Sequence, residues 1–442
     1  MENIFFCIIY IVLMVCILAI GKRIYKTHRT PLTFYSVVWC VVGAISNLGL
    51  LDFYYPSFLV NICITLGTII FSLTYMAIVK PGTIQVYDKF VFCKDEIINY
   101  KYMYFASGLG MLFLIPNALN SVKLIQKYGM ATLRANLSNQ EFGVSHGALW
   151  DNLFAYGISP IFVSISIITS VLIFSDQPKK RVIPLFITSI VTMGLSAISK
   201  ASRAEFIRFL FCLIVSLLLC RRKTISNLFK NKLLRRGLAL AVVSVLVVTF
   251  QRANSEKTWL ENIQRTIYIY YFSGPSYMTQ LLNNVTEYGP HGKLLLGSAT
   301  FGFLTNFVSF ALTIITGKSC GSLYLMGSVL TNVSYKVGNN TAVNAMSTCY
   351  YNFLLDWSYA GILIGPMCLA IFASFFTKKV YREKTVQSMS LYVFFLYILF
   401  RTCFKLELVS ISFSMTCFYI ILFANNTFQK DNTIKSIGNY AL

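Results

Sequence analysis

Apolar runs of roughly membrane length, separated by short polar connections, recur from one end of the chain to the other. They cover residues 4–20, 33–51, 57–79, 102–119, 153–175, 183–199, 205–220, 237–250, 359–377, 388–401 and 408–424. A helix needs about 20 mostly apolar residues to cross a hydrocarbon core. The pattern predicts an all-α, polytopic helical bundle with about 11 spans, in a range of roughly 10–13, forming one membrane domain over residues 1–442. The first run is followed by its basic cluster rather than preceded by it, and no small-x-small cleavage site is clear. It therefore reads as a retained span and not a signal peptide.

Two connections are long, 120–152 and 251–358. The second contains a charge-free stretch, Leu294 to Gly317. If that stretch alone crossed the membrane, the basic segment 378–384 would change sides. Re-entrant or surface-lying helices over 266–282 and 294–317 are the expectation, with any irregular backbone buried in protein. The halves of the chain show no inverted repeat, which weighs against transporter folds built from repeats.

Composition narrows the class. Apolar residues make up 56% and charged residues 12%, about half the usual charged share. Mean hydropathy is +0.65. Soluble, disordered and coiled-coil classes are excluded. The net charge of +22 would ordinarily raise nucleic acid as a partner. Here the Lys and Arg residues sit between apolar runs, as in a membrane protein that records its orientation, so no nucleic acid is expected. The basic connections 22–29, 80–101, 179–181, 221–236, 378–384 and 430–435 then face the cytoplasm, and both long loops face outward. Trp150, Trp259 and Trp357 fall at outer ends of spans, as an aromatic belt places them. Most of the twelve cysteines lie in apolar runs, no CxxC occurs, and three histidines are too few and too scattered for a zinc site. No metal, nucleotide or other cofactor is expected. Cys320 and Cys349 share the large outer loop and are read as free thiols, because nothing in the spacing brings them together.

Charge at the edge of a span marks candidate chemistry. Lys200, Arg203, Glu205 and Arg208 cluster in the outer turn between the runs ending at 199 and beginning at 205. Ser202 and Glu205 fit a capping box, and Arg208 fits an ion pair with Glu205 three residues back. The other reading is an anion site, where a helix N-terminus and arginine forks meet phosphate. Arg252 and Arg265 open the large loop. Behind Arg265 come Tyr268, Tyr270, Tyr271 and Phe272, either faces for sugar rings or an interfacial belt. Asp356 is either a base for a sugar hydroxyl or a carboxylate at a helix N-terminus. His291 and Glu287 are further candidates for the base.

Three segments, SKASRAEFIRFL (199–210), RTIYIYYFSGP (265–275) and NAMSTCYYNFLLDWSYAGILIG (344–365), with the large loop before the last, resemble the O-antigen polymerases. These are the oligosaccharide repeat-unit polymerases of bacterial inner membranes. The related O-antigen ligases usually carry a His near the last motif, which this chain lacks. The resemblance implies a glycosyltransferase of lipopolysaccharide or polysaccharide biosynthesis, acting on the periplasmic side without metal or nucleotide. Its substrates would be oligosaccharides linked to undecaprenyl pyrophosphate, within membrane lipid. A chain-length regulator and a flippase are the protein partners it implies. Carried over by position, Arg203 and Arg265 would bind the leaving pyrophosphate, Lys200, Arg208 and Arg252 would support them, and Asp356 would orient or deprotonate the acceptor. A ligase-like or other lipid-linked glycosyltransferase, or a repeat-unit flippase, is the alternative.

The charge bias places Asn340 outside. A reporter fused there is active as a periplasmic reporter and silent as a cytoplasmic one; the opposite pattern would invert the topology.

Overall fold

The computed structural model describes residues 2–85, 90–92, 97–129, 153–175, 177–200, 204–220, 258–284, 287–316, 329–339, 341–344 and 346–425. The apolar run 237–250, the basic connection 221–236 and residues 130–152 lie outside them. The described chain is mostly helical. In order, the helices are α1 (Glu2–Tyr25), α2 (Pro31–Ser46), α3 (Phe58–Ile78), α4 (Tyr100–Tyr128), α5 (Ser159–Leu172), α6 (Lys179–Ser199), α7 (Ala204–Cys220) and α8 (Trp259–Phe272). They continue as α9 (Gly274–Asn283), α10 (Gly302–Thr316), α11 (Thr348–Trp357), α12 (Gly361–Glu383), α13 (Val386–Arg401) and α14 (Ile411–Phe423).

Among the described residues, five segments are long and apolar enough to cross a membrane: α1, α3, α4, α6 and the stretch Thr348–Glu383 that contains α11 and α12. Shorter apolar helices include α2, α13 and α14. Their boundaries differ from the sequence reading in ways that have causes. Helix α2 stops at Ser46, where Asn47 caps it, rather than running to 51. Helix α4 continues through Pro116 to Tyr128 and ends at Gly129 with φ +81°, so the stretch 120–128 is helix and not loop. Helix α10 has 15 residues, short of the length needed to span.

Strands are few. β1 (Ile97–Ile98) pairs antiparallel with β4 (Ala424–Asn425). β2 (Tyr335–Gly338) and β3 (Thr341–Val343) form a hairpin with Tyr335 opposite Val343. The sequence reading foresaw neither pair.

Contacts divide the chain into two compact units. One takes residues 1–86, 256–378 and 395–414; the other takes 87–255, 379–394 and 415–442. In the first unit, α1 and α2 form a hairpin closed by Thr30, whose hydroxyl accepts the Thr33 N–H, with Pro31 fixing the first helical φ. Helix α3 is capped the same way by Ser57. Polar side chains inside these apolar helices bond to one another. The Tyr10 hydroxyl donates to Asn61, whose carboxamide exchanges hydrogen bonds with Asn47. Tyr35 and Tyr350 hydroxyls meet at 3.1 Å, and Trp39 Nε1 donates to Thr402 Oγ1 at 3.1 Å. All residues of α11 from Thr348 to Asp356 are buried.

In the second unit, α5 is buried along nearly its whole length. Its Ser164, Ser166, Thr169 and Ser170 donate to carbonyls one turn back, which silences their polarity. Lys179 Nζ donates to the Ile173 and Ser175 carbonyls beyond the end of α5, a cation where the helix dipole favours one.

Helix α3 meets α11 at Gly67. A Cβ there would clash with the edge and hydroxyl of the Tyr350 ring, which its bonds to Tyr35 and the Ile64 carbonyl hold in place. Gly67→Ala is expected to cost about 1–3 kcal/mol by overpacking and to lower the thermal midpoint of the purified protein. Gly108→Ala, where the added carbon meets nothing, leaves it unchanged or raises it. Equal midpoints for the two variants would remove the close approach.

Candidate functional site

Two charged clusters carry the candidate residues, one in each unit. In the second unit α6 ends at Ser199, whose carbonyl accepts the Ser121 hydroxyl at 3.2 Å. Lys200 follows as the cap, and its N–H returns to the Ser196 carbonyl. Glu205 lies in the first turn of α7, where a helix N-terminus favours negative charge. Its carboxylate takes Lys200 Nζ at 3.3 Å on one oxygen and the Arg208 guanidinium on the other. The Arg208–Glu205 ion pair anticipated from their spacing is therefore present, and Lys200 joins it. Lys200 also donates to Ser159 Oγ at 2.9 Å and lies 5.5 Å from the Phe154 ring centroid.

Two cations share one carboxylate, which leaves the trio with an excess positive charge. The Lys200 side chain keeps 33% of its surface. Burial and the neighbouring Arg208 charge push its pKa down to about 8. Partial burial also strengthens attraction for an incoming anion, since the effective dielectric there is well below that of water. Ser202 and Arg203 lie outside the described residues, as does Arg252.

In the first unit a capping box of Thr258 and Glu261 starts α8. Arg265, one face further on, donates to Thr341 Oγ1 of β3 and lies 5.8 Å from the Phe53 ring centroid. The aromatic residues behind it lie against other rings, and of them Tyr268 is buried. Tyr268 is buried, 4.4 Å from the Phe53 ring, with its hydroxyl directed at the Ile45 carbonyl. Tyr271 lies against Phe400, and Tyr270 stacks on Phe404 with ring centroids 5.6 Å apart. Tyr268 as a face for sugar is thereby corrected: its ring is part of the core.

Asp356 is also displaced from its expected place. It sits near the C-terminal end of α11, before a break at Ser358, and is fully buried. The helix N-terminus reading does not hold, because α12 starts only at Gly361. Asp356 Oδ1 accepts the Ala299 N–H at 2.8 Å, while Asn352 Nδ2 donates to the Ala299 carbonyl at 2.7 Å. Spaced four apart on one helix face, the two side chains grip both ends of one residue. The Thr300 hydroxyl and the N–H groups of Gly297 and Thr300 also face the carboxylate. In this arrangement Asp356 holds a loop, and its carboxylate is enclosed. His291 is exposed, with Nε2 3.1 Å from the Tyr359 hydroxyl. Nearby, Lys293 pairs with Glu287 on the surface.

One charged pair escaped the sequence reading. Arg401, at the end of α13, donates from Nε and Nη2 to Glu407 Oε1 at 3.0 and 2.8 Å and lies 4.3 Å from the Phe404 centroid. An arginine closing an apolar run, followed six residues later by a glutamate, was the available signal. Among the described residues no three His, Cys, Asp or Glu side chains gather in a metal-binding group.

The chain was compared with models of protein families, with curated proteins and with solved structures, and it matches none of them.

The Lys200 ammonium gives the site a pH dependence. It is charged below about 8 and becomes neutral as pH rises through that value. Binding of inorganic pyrophosphate to the purified protein is expected to weaken between pH 7 and 9, with Lys200→Gln removing that dependence. A flat wild-type profile would take Lys200 out of anion binding.

Proposed function

We propose that this chain is an oligosaccharide repeat-unit polymerase of the bacterial inner membrane, acting on undecaprenyl-pyrophosphate-linked units at the periplasmic face. The observation that carries the reading is the Lys200–Glu205–Arg208 trio, which holds excess positive charge in the turn between two apolar helices. It falls within the segment 199–210 that resembles the polymerases. The apolar helices favour a membrane-embedded protein. The proposal includes 11 spans, with the 251–358 loop in the periplasm.

In the proposed reaction, a hydroxyl of the incoming unit's sugar attacks the anomeric carbon of the growing chain. The bond from that carbon to the pyrophosphate oxygen breaks, and the lipid pyrophosphate leaves with the electron pair. Arg203, with Lys200 and Arg208, meets the charge that develops on the leaving group, where fixed cations lower the barrier most. Arg265 is proposed to bind anionic substrate. Of the two candidates for the acceptor proton, His291 is the exposed one, and Asp356 is enclosed.

Arg203→Ala is expected to lower polymer about 10²-fold or more while the protein stays in the membrane. Arg203→Lys loses most of the activity too, because lysine keeps the charge without the bidentate fork. The cell surface then carries single repeat units. A flippase defect would instead leave none, which separates the two classes. Membrane immunoblots beside the polysaccharide ladder read both quantities. A normal ladder from a stable Arg203→Ala protein would remove the residue from the mechanism.

A further inference from the structure

The turn after α13 and the start of α11 are joined backbone to backbone. The Thr348 N–H donates to the Phe404 carbonyl at 3.4 Å, and the Cys349 N–H donates to the Thr402 carbonyl at 2.8 Å. The two acceptors flank Cys403, so Cys349 and Cys403 lie side by side although they are distant in sequence. A disulfide spans about 4.4–6.8 Å between Cα atoms, the scale on which two directly hydrogen-bonded segments lie. In the reduced protein the Cys403 Sγ donates to the Phe400 carbonyl at 3.2 Å. Both thiols are free and buried in this structure.

The surroundings hold this juncture in place. Trp39 Nε1 fixes Thr402, the residue before Cys403. A Cβ on Gly274 would lie 2.5 Å from the Cys403 carbonyl oxygen and 2.9 Å from the Thr348 methyl carbon. The start of α9 therefore closes directly over the two segments, and only glycine allows that approach.

We propose that Cys349 and Cys403 form a disulfide that staples the start of α11 to the turn between α13 and α14. In the orientation proposed above, both residues belong to the outward side of the chain, where thiols are oxidised. One cysteine thiolate attacks a sulfur of an oxidant disulfide, protein or small molecule, and forms a mixed disulfide. The second thiolate displaces the oxidant's remaining sulfur. The cysteines lose two protons and two electrons, and the oxidant leaves as two thiols. The side chains are enclosed, with 0% and 2% exposure. Exchange therefore takes place during assembly, before the juncture closes, and the finished bond is shielded from reductants. The sequence reading took Cys349 as a free thiol; Cys320 lies outside the described residues.

The test maps thiols in the full-length protein. Membranes are solubilised in denaturant with one alkylating reagent, then reduced and labelled with a heavier form of it, then digested. The expected result is the heavy label on Cys349 and Cys403 alike, with a linked peptide pair before reduction. In Cys403→Ser, Cys349 takes the light label instead. Light label on both cysteines of the wild-type protein overturns the proposal, and so does a link from Cys349 to Cys320. The wild-type map needs no variant to fold. It reads the bond directly, so its failure is distinct from a failed orientation at Asn340 or a failed polymerase assay.

Discussion

A hydroxyl or carboxamide buried among apolar helices has only the protein to bond to, and leaving one unmet costs about 1–3 kcal/mol. The first unit is arranged around this constraint. Tyr10 reaches Asn61, Tyr35 reaches Tyr350, Tyr75 reaches Thr377 and Trp39 reaches Thr402. Each link joins helices far apart in sequence. Apolar contact alone would not specify these neighbours, because a leucine gains as much from lipid as from another helix. The polar pairs select which helix lies beside which, and close glycine contacts such as Gly67 against Tyr350 set how near they come.

Charge obeys the same constraint more strictly. Glu205 answers two cations, and Glu407 answers the forked guanidinium of Arg401. Asp356 is met by backbone N–H groups. Glu287 and Lys293, which lie on the surface, are the kind of pair that contributes little to stability. The difference bears on function: one oxygen of the Asp356 carboxylate is committed to the Ala299 N–H. A shared carboxylate between two cations leaves attraction to spare for an anion.

Much of the fold was legible because membrane length and helix length are tied by a fixed rise per residue. The runs at 4–20, 57–79 and 183–199 became α1, α3 and α6. Helix ends were less legible where a cap or a tolerated proline decides them, as at Asn47 and Pro116. The site was legible in part. The i, i+3 spacing placed Arg208 on Glu205, and spacing on one helix is readable from sequence. The partners of Tyr268, Asp356 and Cys349 come from residues 45, 299 and 402. Contacts of that separation depend on how helices pack, and no local pattern encodes them. Arg401 was passed over because its six-residue pairing with Glu407 runs through a turn and not along a helix.

Helix α11 has ten residues, about 15 Å of length. All of its residues from Thr348 to Asp356 are buried, so it shares no such face with lipid. The sharp break at Ser358, with φ +52° and ψ −147°, separates it from α12. A half-length helix of this kind cannot partition into a bilayer by itself. Its seat is made by Trp39 and Gly67 from the start of the chain and by Thr402 from near its end. The seat is therefore incomplete until α13 has been synthesised and inserted. The first unit stays unclosed through most of translation, and a ribosome that stops before residue 402 releases a chain in which α11 has nowhere to dock.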